Sequence, residues 1–426
     1  MEGRGRRGTV GSLQKYKHKL LIHLYCVLVF FISLLKKTMS KFKHPFTNSL
    51  VKVIPNSHGY TGFVNLGNTC FLNSCIQIIN HIYELTPVYT AVFDKYKKKG
   101  TPDTNFFEEW IDLYILIWNK DGLVSPARFV EVVQKLANIK NREMFAGFAQ
   151  NDIHEFIHLF IDTLHTSISR NTDIVINGTA QNETDMLAVK CYGYLQAVYK
   201  NEYSEILDLF YGIYVSKLVG MDEKHTLHSS IPENFFILDL PIPCGGEEVD
   251  GKDGKDGNMF LSSLPLPPQM FSTQYLESQM KYTLYDCFDL FTKNETLEGE
   301  NSWFNEATGR KERVYKKIEF WNFPKILVIS IKRFSACGQR KRNNLVDFPI
   351  KSLDLSKYVC GYNPQKYKYD LFGVCNHYGG CNGGHYTAFV LNYLDEWIHY
   401  NDEVVEKGVT NVITPAAYCL FYRIVS

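Results

Sequence analysis

Cys70 and His385 are the two residues of this chain best suited to act together on a carbonyl. Cys70 stands in Gly62-Phe-Val-Asn-Leu-Gly-Asn-Thr-Cys-Phe-Leu-Asn-Ser74, and His385 follows a double glycine far downstream in Gly383-Gly-His-Tyr-Thr-Ala388. A thiol becomes a strong nucleophile once a neighbouring imidazole takes its proton, and such partners meet in space rather than in sequence. Gly67 is expected to turn the backbone tightly ahead of the nucleophile, where a β-carbon would clash. Asn68 and Thr69 are N-cap types, and Phe71 to Ile79 is apolar enough for a buried helix. Cys70 is therefore expected at a helix N-terminus, where the macrodipole favours a thiolate. Asn65, shortly upstream, could turn its amide toward a developing oxyanion. Blander roles are open to both residues: a free cysteine is commonly a small core residue, and a histidine after two glycines is commonly a turn residue.

Blocks elsewhere in the chain favour the catalytic role. Gly62 to Ser74 resembles the cysteine box of the ubiquitin-specific proteases, the papain-like ubiquitin carboxyl-terminal hydrolases. Gln150-Asn-Asp-Ile-His-Glu-Phe156 is similar to their glutamine box, with Asn151 in place of a second glutamine. Tyr369-Asp-Leu-Phe-Gly-Val-Cys-Asn-His-Tyr-Gly379, Gly383-Gly-His-Tyr386 and Trp397-Ile-His-Tyr-Asn-Asp402 follow their histidine box in order. Pro324 to Phe334 and Ala417 to Tyr422 are similar to two further strands of that family. The resemblance runs from about Gly59 to the C-terminus. It implies an α+β, papain-like cysteine peptidase with a helical thumb, a β-rich palm and fingers.

The same resemblance implies a deubiquitinating hydrolase that works through a thioester at the C-terminal glycine of ubiquitin. Ubiquitin and ubiquitinated proteins would be its partners, and no cofactor is called for. Cys70 would attack and His385 would act as general base and then acid. Asn401 would orient the imidazole; being neutral, it fixes a tautomer but adds less charge stabilisation than an aspartate. Asn65 and Asp402 would serve the oxyanion, and Gln150, Asp152 and Tyr386 would line the groove for the ubiquitin tail. A carboxylate there suits the arginines of that tail. Asn401-Asp402 also reads as a plain hairpin turn, and Asp152, His154 and Glu155 as a solvated helix face. His377 and Cys75 are read as structural. Two other functions stay open: a catalytically weak ubiquitin-binding module, and a protease for a ubiquitin-like modifier.

Many of these proteases carry two Cys-x-x-Cys pairs that hold a structural zinc in the fingers. Here the corresponding positions fall near Gly220 and Glu223 and near Asn305 and Thr308, none of them cysteine. His225 and His228 have a ligand-like spacing without thiolates beside them. No metal is expected, so the fingers must rely on packing and hydrogen bonds.

At 426 residues and 45% hydrophobic content the chain can build a large core, and a net charge of +1 argues against nucleic acid as a partner. Eleven scattered cysteines favour a reducing, intracellular compartment. Residues 1–58 match no part of the catalytic family. Within them, 20–35 is apolar and uncharged, flanked by Lys17, Lys19, Lys36 and Lys37. A single membrane anchor is the first expectation for this stretch, although it is short of a usual span. A signal peptide and a native start at Met39, which would leave a soluble cytoplasmic protein, are the alternatives. Residues 59–426 are expected to form the catalytic domain. Its first part should be helical, over 106–118, 126–136 and 152–164, and strands should follow from about Glu202 onward. A glycine- and charge-rich insertion near 244–280 is expected to be disordered.

Overall fold

The computed structural model describes residues 58–221, 225–243, 280–335, 340–380 and 383–425. The apolar segment 20–35 and nearly all of the insertion near 244–280 lie outside the described residues. Internal contacts divide the chain between Ile54 and Pro55, and the described residues all belong to the second unit.

Apolar residues at helical spacing build the thumb. β1 (Thr61–Phe63) leads into α1 (Cys70–Ile79), followed by α2 (Pro102–Asn119), β2 (Gly122–Val124), α3 (Ala127–Ile139) and α4 (Ile153–Ile168). The three helices expected over 106–118, 126–136 and 152–164 are all present. α2 begins where Thr101 accepts from the Thr104 N–H and Pro102 takes the first helical position. Phe106 lies 4.9 Å from Phe129 and 5.2 Å from Phe160, ring centre to centre, which locks α2, α3 and α4 into one aromatic core.

Two helices that the sequence does not announce precede the strands: α5 (Glu183–Glu202) and α6 (Glu205–Phe210). α5 buries only Ala188 and Cys191, so its sequence carries almost no apolar stripe. Those two residues pack against Ile213, Val215 and Trp321 at the base of the fingers.

The fingers are formed by β3 (Gly212–Gly220), β4 (Leu227–Phe235), β7 (Glu295–Leu297) and β10 (Val314–Asn322), in the sheet order β4-β3-β10-β7. A hairpin of β8 (Trp303–Asn305) and β9 (Arg310–Glu312) sits between β7 and β10 in the chain. Of the second missing cysteine pair, Asn305 ends β8 and Thr308 lies in the turn. There Asn305 Nδ2 donates to Glu312 at 3.0 Å and Thr308 Oγ1 donates to the same carboxylate at 2.6 Å. Gly220 closes β3, and Glu223 lies outside the described residues. His228 packs on Trp303 and His225 on Tyr315. Among the described residues no cluster of three or more His, Cys, Asp or Glu side chains could hold a metal ion.

The palm uses β5 (Ile237–Pro241), β11 (Ile326–Lys332), β13 (Leu353–Asp354), β14 (Lys368–Gly380), β15 (Gly383–Leu391), β16 (Trp397–Asn401), β17 (Val404–Lys407) and β18 (Ala417–Ile424). They form an eight-stranded sheet whose main path runs β17-β16-β15-β14-β18-β11-β5. β13 pairs with β14, and α7 (Leu284–Phe291) covers one face with Leu284, Cys287 and Phe288 buried. α1 lies on the other face so closely that a β-carbon at Gly373 of β14 would come within 2.8 Å of Ile78.

Chain segments on either side of the insertion meet at 342–346. Arg342 donates to the carbonyls of Ile242 and Pro243, and Asn344 to that of Met280. β6 (Tyr282–Thr283) then pairs in parallel with β12 (Val346–Asp347). Among the described residues no helix is long and apolar enough to cross a membrane.

Candidate active site

α1 opens at Cys70, which is 4% exposed, and its first turn meets β15 beside His385. The backbone N–H of Tyr386 faces the Cys70 thiol and favours its charged form, which puts the sulfur beside the strand that carries His385. His385 Nε2 lies 2.6 Å from Asn401 Oδ1, at the end of β16. An amide oxygen only accepts, so this bond keeps the imidazole proton on Nε2 and leaves the Nδ1 lone pair for another partner.

The approach to Cys70 is shaped as expected, for somewhat different reasons. Gly67 has a φ of +105°, which disfavours any residue with a β-carbon, yet a β-carbon there would meet nothing closer than Phe148 at 3.8 Å. The glycine is needed for its backbone angle and not, as expected, to avoid a clash. Thr69 occupies the N-cap position without a side-chain cap. Its hydroxyl instead accepts from the Leu66 N–H and donates to Asn65 Oδ1. Asn65 Oδ1 also accepts from the Gly67 and Thr69 N–H groups, which fixes the plane of the Asn65 amide.

Asp402 is where the turn and the site coincide. It closes the β16–β17 hairpin with a φ of +49°, as a turn residue should. Its carboxylate accepts from Asn65 Nδ2 and from Asn73 Nδ2, each at 2.8 Å. One proton of the Asn65 amide is thereby committed to Asp402, and the other is free to point elsewhere. Asn73 is a site residue that the sequence reading does not single out. Its signal is a buried polar residue three positions after Cys70, on the same face of a largely apolar helix.

The thiol itself departs from expectation. Burial pushes its pKa up, and the Asp402 charge pushes in the same direction. The N–H groups of Tyr386, Phe71 and Cys70 pull it down, as a helix N-terminus should, but burial outweighs them.

The glutamine box braces the histidine loop. Gln150 Oε1 accepts from the Gly384 N–H at 2.8 Å. Both positions before His385 favour glycine: Gly383 has a φ of +151°, and a β-carbon at Gly384 would lie 2.2 Å from the Tyr378 carbonyl. Asp152 caps α4 through the His154 N–H and accepts from the Tyr418 hydroxyl at 2.9 Å. His154 is half-buried and pairs with Asp239 at 3.2 Å, so of the expected solvated helix face only Glu155 is exposed. Tyr386 is 6% exposed, its ring packed against His377 and Tyr418, so its side chain does not line an open groove as expected. Only its backbone addresses the site. His377 and Cys75 are buried, in keeping with structural roles.

The family model for ubiquitin carboxyl-terminal hydrolase matches residues 61–422. Human ubiquitin carboxyl-terminal hydrolase 2 is 31% identical over 381 residues, 87% of this chain and 56% of the relative. Human ubiquitin carboxyl-terminal hydrolase 21 is 31% identical over 391 residues, covering 86% and 62%. The chain thus spans a little over half the length of the curated relatives it matches. Among solved structures, the SAGA DUB module Ubp8/Sgf11/Sus1/Sgf73 bound to ubiquitin aldehyde aligns with a TM-score of 0.61. That match has 21% identity over 88% of this chain and 72% of that one, and a yeast SAGA DUB module aligns with a TM-score of 0.60 at 20% identity, over 88% and 70%. These likenesses establish the thumb, palm and fingers fold. A match running from β1 to β18 places this chain in the ubiquitin carboxyl-terminal hydrolase family.

Proposed function

We propose that this chain is a cysteine-type deubiquitinase, a thiol hydrolase that cleaves peptide or isopeptide bonds at the C-terminal glycine of ubiquitin. The observation that carries the proposal is the meeting of the Cys70 thiol with the strand of His385, whose imidazole Asn401 holds in one tautomer. Cys70 Sγ attacks the glycine carbonyl while its proton passes to His385 Nδ1. The oxyanion that forms is met by the free proton of Asn65 Nδ2 and by the Cys70 N–H at the start of α1. His385 then returns the proton to the departing amine, leaving a thioester. Water, deprotonated by the same imidazole, hydrolyses the thioester and frees the carboxylate. Asp402 holds Asn65, Gln150 holds the histidine loop, and Asp152 braces that region through Tyr418.

A ubiquitin C-terminal amide reporter tests this directly. The expected result is release by the unmodified chain and none by Cys70→Ser. Binding of ubiquitin without release, and without labelling by a C-terminal electrophile, would remove the hydrolase role and leave a binding module. The same reporter built on ubiquitin-like modifiers separates those substrates.

The seven described cysteines are all free thiols, which supports a reducing, intracellular setting. A membrane-tethered form is favoured by the apolar run 20–35 and its flanking lysines. Resistance of the full chain, but not of a chain starting at Met39, to carbonate extraction from membranes would establish it.

A further inference from the structure

His385 stands in β15 directly opposite Tyr378 of β14, so whatever fixes the end of β14 fixes the strand that carries the imidazole. Gln150 holds the start of β15 through the Gly384 N–H. A second hold comes from the segment after β11. Lys341 Nζ donates to the carbonyl of His377 at 2.6 Å and to that of Gly379 at 3.3 Å. These two carbonyls flank Tyr378, and Tyr378 is the residue directly opposite His385 in the β14–β15 ladder.

Lys341 is itself anchored. It bridges to Phe334, whose ring packs on His377 and Tyr418. The neighbouring Arg342 N–H bonds the Arg333 carbonyl at 2.7 Å. Arg333 is fully buried, and its guanidinium donates to the carbonyls of Ala417, Arg342 and Asn344. The ammonium is therefore delivered from a fixed stem, and its bonds to the carbonyls are charge-assisted.

We propose that Lys341 is a positioning residue for His385, acting through the two carbonyls beside the cross-strand partner of the histidine; the inference rests on the hydrolase function proposed above. Without the ammonium, the end of β14 loses a clamp, and the imidazole opposite it spends less time aligned with the thiol. An arginine keeps the charge and the reach, so it should restore much of the clamp.

The test compares the full chain with K341M and K341R, using kcat and KM on the ubiquitin amide reporter. A second measurement is the pH profile of Cys70 alkylation without substrate, read on the Cys70 peptide by mass spectrometry. K341M is expected to lose about tenfold in kcat with KM within about twofold, because misalignment affects the reacting pair more than ubiquitin binding. Its alkylation profile should move toward that of an isolated thiol, and K341R should stay near the parent in both readouts. Unchanged kcat and profile in K341M, or equal impairment of K341R, would overturn the proposal. If even the parent fails to release the reporter, the hydrolase function fails, and the alkylation profile of K341M still decides whether Lys341 positions His385.

Discussion

Replacing Asp402 by asparagine should push two properties of the site in opposite directions. The carboxylate takes amide protons from Asn65 and Asn73, each at 2.8 Å, and its charge helps hold the Cys70 proton in place. Asparagine tolerates the positive φ of 49° at this position, so the turn survives. Its single amide oxygen offers weaker, uncharged acceptance for two donors. A hydrogen bond to a charged acceptor contributes about 1.5–3 kcal/mol, and part of that is lost at Asn65. Removing an oxyanion donor outright costs about 100- to 1,000-fold in kcat, so loosening one should cost about 10- to 100-fold. The thiol should move the other way. Removing a negative charge lowers the Cys70 pKa, so alkylation of the substrate-free protein near neutral pH should become faster. The assay pairs reporter kcat with iodoacetamide labelling of Cys70, read by mass spectrometry. A variant with normal kcat, or one slowed in both measurements, would refute the roles assigned to Asp402.

Asn401→Ala should lower kcat less than His385→Ala, because orienting an imidazole is worth less than supplying it; equal losses in reporter turnover would show that Asn401 does more than orient. Glu312→Ala removes the acceptor for Asn305 and Thr308 and should loosen the β8–β9 hairpin by about 1–3 kcal/mol, seen as faster amide hydrogen exchange over 303–312. A strong chelator should change neither activity nor Tm, and stoichiometric zinc by elemental analysis would contradict the expectation that the fingers hold no metal.

How much of the molecule can be read from the sequence depends on how local the determining interaction is. Cys70 at the head of α1 is legible because an apolar run and a glycine turn are written within a few residues of each other. The thumb helices are legible because their cores repeat at helical spacing. α5 is not, since it buries two small side chains and owes its place to Ile213, Val215 and Trp321, contributed from elsewhere. The protonation of Cys70 escapes the sequence for the same reason: the helix N-terminus is local, while the burial that overrides it comes from tertiary packing. The groove expected beside Tyr386 is one that its own ring, packed on His377, does not reach. The grip of Asn73 on Asp402 and of Lys341 on β14 depends on pairings between distant segments.

The clasp at 342–346 has a consequence for how the chain tolerates change in length. Arg342 and Asn344 hold the residues on both sides of 244–279 against one short stretch, so the distance between those ends is set by the palm and not by what joins them. For a flexible connection with fixed ends, each doubling in length costs only about 0.6 kcal/mol of closure entropy. Replacing the residues between Pro243 and Met280 by a brief glycine-serine link is therefore expected to leave the melting of the palm little changed, because Arg342 and Asn344 still hold both ends. On that entropy alone, a change of chain length between those two held ends should bear little on the site around Cys70.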